Sequence, residues 1–269
     1  MRVKTKNNQV SARDYIDQLA STGRYQFTSR DARAVLGVSA DATKLALNRL
    51  ARQGRIASPA RGFYVIVPPD YQSLGCLPAH QFIPALMKQK QLVYYVGLLS
   101  AAQYYGAAHH RPQQFQVLLE KNRRSIQCGK VRVMFVARKQ IKEVSTRAFN
   151  TPRGEIQVST PEATAVDLAG YPQHAGGLDN VATILVDLAE SINPSLLPEA
   201  AATAPLPWTQ RLGYMLDLTD AANVADPLRA YVRQNAREYT PLVPGRSSID
   251  TKRDPDWKII VNSELVPET

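Results

Sequence analysis

Between residues 39 and 61 the chain places one amide and five cations where they could read a duplex nucleic acid: Lys44, Asn48, Arg49, Arg52, Arg55 and Arg61. Projected at 100° per residue, a helix beginning after Ser39 carries Thr43, Ala46, Leu47 and Leu50 on one side. Asp41, Lys44, Leu45, Asn48, Arg49 and Arg52 lie on the other. In a major groove an asparagine amide pairs bidentately with adenine and a guanidinium with guanine, whereas lysine is a point charge suited to phosphate. Lys44, Asn48 and Arg49 are therefore the candidate groove contacts. Arg52, Arg55 and Arg61, along and beyond the helix, are candidates for phosphate or the minor groove. Ser39 joins the set as the first residue of the same face, and Asp41 is read as satisfying the positive N-terminal dipole. The competing reading is that all of these are ordinary solvent-facing charges.

A second basic segment holds Lys121, Arg123, Arg124, Lys130, Arg132, Arg138, Lys139, Lys142 and Arg147 in 27 residues with one acid, Glu143. It is a candidate second nucleic-acid contact. Other chemistry finds little to rest on. The His109–His110 pair has no Cys or carboxylate at metal-ligand spacing, and His80 and His174 are isolated. Cys76 and Cys128 read as buried small hydrophobes. Asp167, Asp187 and Asp217 recur in VDL or LDL contexts that suggest helix packing. No phosphate-binding glycine loop, nucleophile elbow or dinucleotide fingerprint is present. No catalytic residue, metal or cofactor is implied, and the chain reads as a non-enzyme.

The elements that would position the basic face form a recognisable order. Ser11 precedes an amphipathic stretch, ARDYIDQLAS, ended by Gly23; Thr28 and Ser29 cap RDARAVL, which stops at Gly37; Ser39 caps ADATKLALNRLARQ, closed by Gly54. Two helices across a Leu36–Ser39 turn make a helix-turn-helix. The run 55–58, a turn at 59–62 and the β-rich 63–67 supply a hairpin, giving a winged helix over residues 1–67. Residues 68–78, rich in Pro and polar side chains, read as a linker. From 79 to 269 helices are expected at 77–89, 94–106, 160–171, 178–192, 207–219 and 226–234. Strands are expected at 114–119, 131–137 and 154–159, and a strand or extended arm at 254–262. The fold class is mixed α/β (α+β), a small sheet with helices to one side behind the winged helix.

Composition agrees with this division. The chain of 269 residues carries a formal charge of +10, unevenly spread. Residues 1–61 hold 12 Lys/Arg against 4 Asp/Glu, 62–150 hold 12 against 3, and 151–269 hold 9 against 16. A basic first half points to a polyanion, with nucleic acid foremost, and the acidic second half to a different partner. Every hydrophobic stretch is interrupted before the roughly 18 residues a membrane helix needs. Neither a secretory leader nor a disulfide framework is evident, so a cytoplasmic location is expected.

Four further segments follow the winged helix in order: GLLSAAQYYG (97–106), STPEATAVDLAGY (159–171), WTQRLGYMLD (208–217) and DPDWKIIVN (254–262). With it they resemble the AbiEi-type antitoxins of abortive-infection, phage-defence toxin–antitoxin systems of type IV. The resemblance implies a bacterial protein that binds inverted repeats upstream of its own operon to repress it, and whose C-terminal part counters a nucleotidyltransferase-like toxin, in general without a stable complex, direct binding being the alternative. It places DNA contact on Ser39–Gln53 and the wing around Arg61, with monomers or dimers pairing on the repeat, and carries over no catalytic residue. The Pro- and Ala-rich stretch 193–207 and the charged C-terminal arm depart from the pattern. The alternative from another class is a ligand-responsive winged-helix regulator with no toxin partner.

Overall fold

The structure, a computed structural model, describes residues 10–107, 112–219 and 221–265. Three helices open it, each with a side-chain cap satisfying an otherwise orphaned N–H. α1 (Ala12–Ser21) follows Ser11, whose Oγ accepts from the Asp14 N–H. A short strand, β1 (Gln26–Thr28), leads into α2 (Ser29–Leu36) through a reciprocal capping box: Thr28 Oγ1 accepts from the Asp31 N–H at 3.1 Å, and the Asp31 carboxylate accepts from the Thr28 N–H at 2.9 Å. Gly37 ends α2 at φ 62°, a left-handed conformation that costs glycine least. α3 (Ala40–Arg52) starts at Ser39, whose Oγ accepts from the Ala42 N–H.

Strands β2 (Ile56–Ala60) and β3 (Phe63–Ile66) form the hairpin, and β1 pairs on the other edge of β3, giving the order β1-β3-β2. This is a winged helix. Its core comprises Ile16, Phe27, Leu36, Leu47, Leu50 and Ile56 with their neighbours, each contributing about 1.5–3 kcal/mol by burial. Strand β1 was outside the sequence expectation because three residues show no alternation.

The remaining chain runs α4 (Ala79–Lys90), β4 (Tyr94–Val96), α5 (Leu98–Tyr104), β5 (Phe115–Leu119), β6 (Ile126–Cys128), β7 (Val131–Ala137), β8 (Thr146–Thr151), β9 (Gly154–Ser159), α6 (Pro161–Gly170), α7 (Leu178–Ala189), α8 (Leu197–Ala202), α9 (Leu206–Asp217) and α10 (Asp226–Asn235). It closes with β10 (Thr240–Pro241), β11 (Lys252–Asp254) and β12 (Ile259–Val261), a small sheet of order β10-β12-β11. A six-stranded sheet has the order β6-β7-β5-β4-β9-β8. The span 94–106, expected as one helix, is divided: Tyr94–Val96 lie in the sheet, antiparallel to β5 and parallel to β9, and only the residues after Gly97 coil. Two aromatics and a valine bonded on both sides favour strand over helix. The Pro/Ala-rich stretch contains α8, a further unexpected element. Helix α6 is buried along nearly its whole length and touches α5, α7, α8 and α9, which explains its lack of a polar face.

Contacts divide the chain into two compact units. The first comprises Met1–Leu92, Arg124–Met134 and Phe149–Ile156; the second comprises Val93–Arg123, Phe135–Ala148 and Gln157–Thr269. Residues 68–78 therefore do not behave as a linker. Cys76 and Leu77 are fully buried, and the Gln72 amide donates to the Gly54 and Val67 carbonyls at 3.1 and 3.0 Å. Arg153, between β8 and β9, belongs to this unit too. Its guanidinium stacks on Tyr25 and its Nε donates to Gln81 Oε1 at 2.8 Å.

In the second unit the C-terminal arm is anchored by Trp257, fully buried against Gly213 of α9. A Cβ at Gly213 would fall 2.0 Å from the indole. Gly213→Ala is expected to cost about 1–3 kcal/mol through overpacking, lowering the thermal midpoint by several degrees; an unchanged midpoint in calorimetry would show that the indole yields freely.

Candidate nucleic-acid interface

Helix α3 presents the face that the sequence projects. Thr43, Leu47 and Leu50 are buried against α1, α2 and β2, while Lys44, Leu45, Asn48, Arg49 and Arg52 are exposed. Ser39 is exposed but its hydroxyl is committed to the cap, and Thr43 Oγ1 donates to the Ser39 carbonyl at 2.9 Å. Asp41 lies in the first turn, where the dipole favours a carboxylate. Among the described residues no carboxylate pairs with Lys44, Arg49 or Arg52. Leu45, 59 % exposed, adds an apolar group to the same face.

Arg61 and Gly62 form the turn between β2 and β3, so Arg61 is carried at the wing tip and is exposed. Arg55 differs. Its guanidinium is bonded to Asp17 of α1, which also approaches Arg13. The pair ties the start of the wing to α1 and engages the charge that Arg55 would otherwise offer outward. Sequence spacing gave no sign of this, because the partners are 38 residues apart.

The second basic segment is split by the fold. Arg124, Lys130 and Arg132 are exposed in the first unit; Lys121, Arg123, Lys139, Lys142 and Arg147 are exposed in the second. Arg138 does not belong to any surface patch. It is 1 % exposed, and its Nε donates to Asp167 Oδ1 at 2.9 Å. The other Asp167 oxygen accepts from the Tyr95 hydroxyl at 2.6 Å. Arg138 further donates to the Lys139 carbonyl and Thr203 Oγ1 and lies over the Trp208 ring. Burial opposes its charge, but Asp167 and Tyr95 outweigh burial and raise its pKa. Burial pushes the Asp167 carboxyl above the ordinary carboxylate value, opposed by Arg138 and the Tyr95 hydrogen bond.

Asp217 is likewise structural, accepting from Arg229 at 2.7 Å and from Trp257 Nε1 at 2.6 Å. Asp187 is half-buried on α7. His174 lies half-buried beside Tyr171, with its pKa lowered by burial, and His80 lies next to Gln81, itself bonded to Tyr71. His109 and His110 lie outside the described residues. Cys76 and Cys128, both buried, lie beside each other. Among the described residues, no group of three or more His, Cys, Asp or Glu is placed to hold a metal, and no helix is long and apolar enough to cross a membrane.

Residues 14–67 match the family described as transcriptional regulator, AbiEi antitoxin, and residues 95–218 match the AbiEi antitoxin C-terminal domain. The chain belongs to the AbiEi antitoxin family. An AbiEi antitoxin combines DNA-binding regulation with antitoxin action, and the two matches fall in that order along the chain. The first contains α3 and the wing; the second contains Tyr95, Arg138, Asp167 and Trp208, so the buried ion pair lies within the family's C-terminal domain. The fold is shared with the RV2827C protein from Mycobacterium tuberculosis, at a TM-score of 0.67 and 18% identity over 93% of this chain and 90% of that one. No curated protein matches the sequence at a significant level.

Removing one member of a buried pair strands the other charge. Asp167→Ala in this AbiEi antitoxin is expected to lose about 3–5 kcal/mol in denaturant unfolding, against less than about 0.5 kcal/mol for Arg132→Ala at the surface; equal effects would place Arg138 at the surface after all.

Proposed function

We propose that this AbiEi antitoxin represses its own operon by binding inverted-repeat promoter DNA, and that it antagonises a nucleotidyltransferase-like toxin encoded beside it, as in type IV systems, without a stable complex. The observation that carries the DNA-binding half is the exposed, unpaired cationic face of α3 beside a wing tip carrying Arg61. Lying in a major groove, α3 brings Asn48 and Arg49 to base edges, with Lys44 and Arg52 at the flanking phosphates and Leu45 available to a thymine methyl. Arg61 reaches the backbone or minor groove, and Arg55, shared with Asp17, contributes less. One winged helix reads a half-site, so two copies occupy a repeat, pairing on the DNA. Such a repressor acts in the cytoplasm, where its operator lies.

The antitoxic half is supported by the family match over 95–218 and by the acidic balance of residues 151–269, which suits a toxin with basic, nucleotide- or RNA-binding surfaces. The two halves are separable by substitution in the full chain. This avoids a truncation at residue 68, which would remove the Gly54 and Val67 carbonyls that accept from Gln72 and the strand β2 on which β6 packs.

Asn48→Ala and Arg49→Ala are expected to lower affinity for operator DNA by about 10- to 100-fold each with little change on random duplex. Arg61→Ala should weaken both alike. Fluorescence anisotropy on the two duplexes checks this, and equal losses for all three variants would overturn the assignment of α3. In a growth-rescue assay with the neighbouring toxin, the Asn48→Ala/Arg49→Ala double variant is expected to rescue as well as wild type while losing repression. Failure of the wild-type chain to rescue would overturn the antitoxin pairing.

A further inference from the structure

The β6–β7 hairpin is built onto the winged helix. Residues Arg124–Met134 belong to the same compact unit as α1–α3, and β6 packs on β2, the edge strand of the wing sheet. Three contacts seat it there. The buried Cys128 lies beside the buried Cys76. The Lys130 N–H donates to the Leu74 carbonyl at 2.8 Å. Gly129, at φ 57°, comes so close to Leu74 that a Cβ would fall 2.2 Å from its carbonyl oxygen. The hairpin is thus held by backbone and buried sulfur, leaving its charged side chains with no part in seating it.

Those side chains face the other way. Strand alternation buries Cys128 and Val133, and so exposes Gln127 and Arg132, which are paired directly across the hairpin. Lys130 in the turn and Arg124 before β6 are exposed as well. Residues 121–142 contain no Asp or Glu. Among the described residues no carboxylate pairs with Arg124, Lys130 or Arg132, although Arg13, Arg24 and Arg55 of the same unit are all paired. Like charges gathered on a rigid scaffold repel one another and become favourable only when a polyanion lies across them.

We infer that the β6–β7 hairpin is a second wing, on which Arg124, Lys130 and Arg132 grip the phosphate backbone of duplex DNA flanking the segment read by α3. The inference rests on the DNA-binding role of α3. The contact is to phosphate alone, so it adds affinity without sequence preference and lengthens the stretch of duplex the protein occupies.

The test uses the full chain and the triple variant Arg124→Gln/Lys130→Gln/Arg132→Gln. Anisotropy is measured over a salt series on a minimal operator duplex, on one extended by about one helical turn, and on random duplex. The variant is expected to lose affinity by the same factor on extended operator and random DNA, and the slope of log affinity against log salt should fall by about 2–3. It should also lose the gain that wild type shows on extension. Each single substitution should lower the slope by about one, and Arg124→Lys/Arg132→Lys, which keeps the charge, should bind within about twofold of wild type. An unchanged slope and affinity in the triple variant, with wild type binding normally, overturns the second wing and leaves α3 standing. A loss confined to operator DNA overturns the phosphate assignment. If wild type binds no duplex, both readings fall.

Discussion

Burial of Thr43, Leu47 and Leu50 against α1, α2 and β2 decides which side of α3 meets solvent, and every base contact assigned to α3 follows from that one packing choice. The apolar stripe of α3 is narrow, so rotating the helix by one residue would bury Asn48 or a guanidinium at a cost of several kcal/mol. The caps at Ser11, Thr28 and Ser39 set where each helix begins, and Phe27, packed edge-on to Tyr15 and stacked on Tyr64, locks the short strand β1 to the wing. Local and tertiary preferences agree throughout this region, as they do in sequences that specify one fold.

Charge behaves differently from hydrophobicity here, because its meaning depends on partners remote in sequence. Arg49 and Arg138 are equivalent as letters, yet one is exposed on α3 and the other is enclosed with Asp167, Tyr95 and Trp208. Arg55 stands between, half-exposed and bonded to Asp17. In the acidic C-terminal half, Asp217 is occupied by Arg229 and Trp257, so part of that half's charge stabilises the arm and is not presented to a partner. Among the described residues of the winged-helix unit, the cations of α3, the wing tip and the β6–β7 hairpin are free of such commitments.

The two cysteines illustrate the same dependence. Separated by 52 residues, they read as unrelated buried hydrophobes; in the fold they lie side by side where the hairpin meets the segment 68–78. That segment reads as a connector because three prolines and several polar residues stand in it. Cys76 and Leu77 are only two adjacent apolar residues, too few to form a periodic pattern, yet both are fully buried just beyond the point where Gly129 closes on Leu74 and Gly75.

The sequence by itself determined the winged helix and its outward face, since helical periodicity, caps and a hairpin turn are local signals read within about four residues. It also determined the strands at 115–119, 131–137 and 154–159, whose β-rich runs are long enough to show. Tertiary structure alone decided that Tyr94–Val96 join a sheet, that Arg138 is interior, that Arg55 is shared with Asp17, and that a hairpin more than 60 residues beyond the wing is seated on it. These outcomes rest on contacts between residues far apart in the chain, whose energies depend on burial and partner geometry that no local pattern encodes.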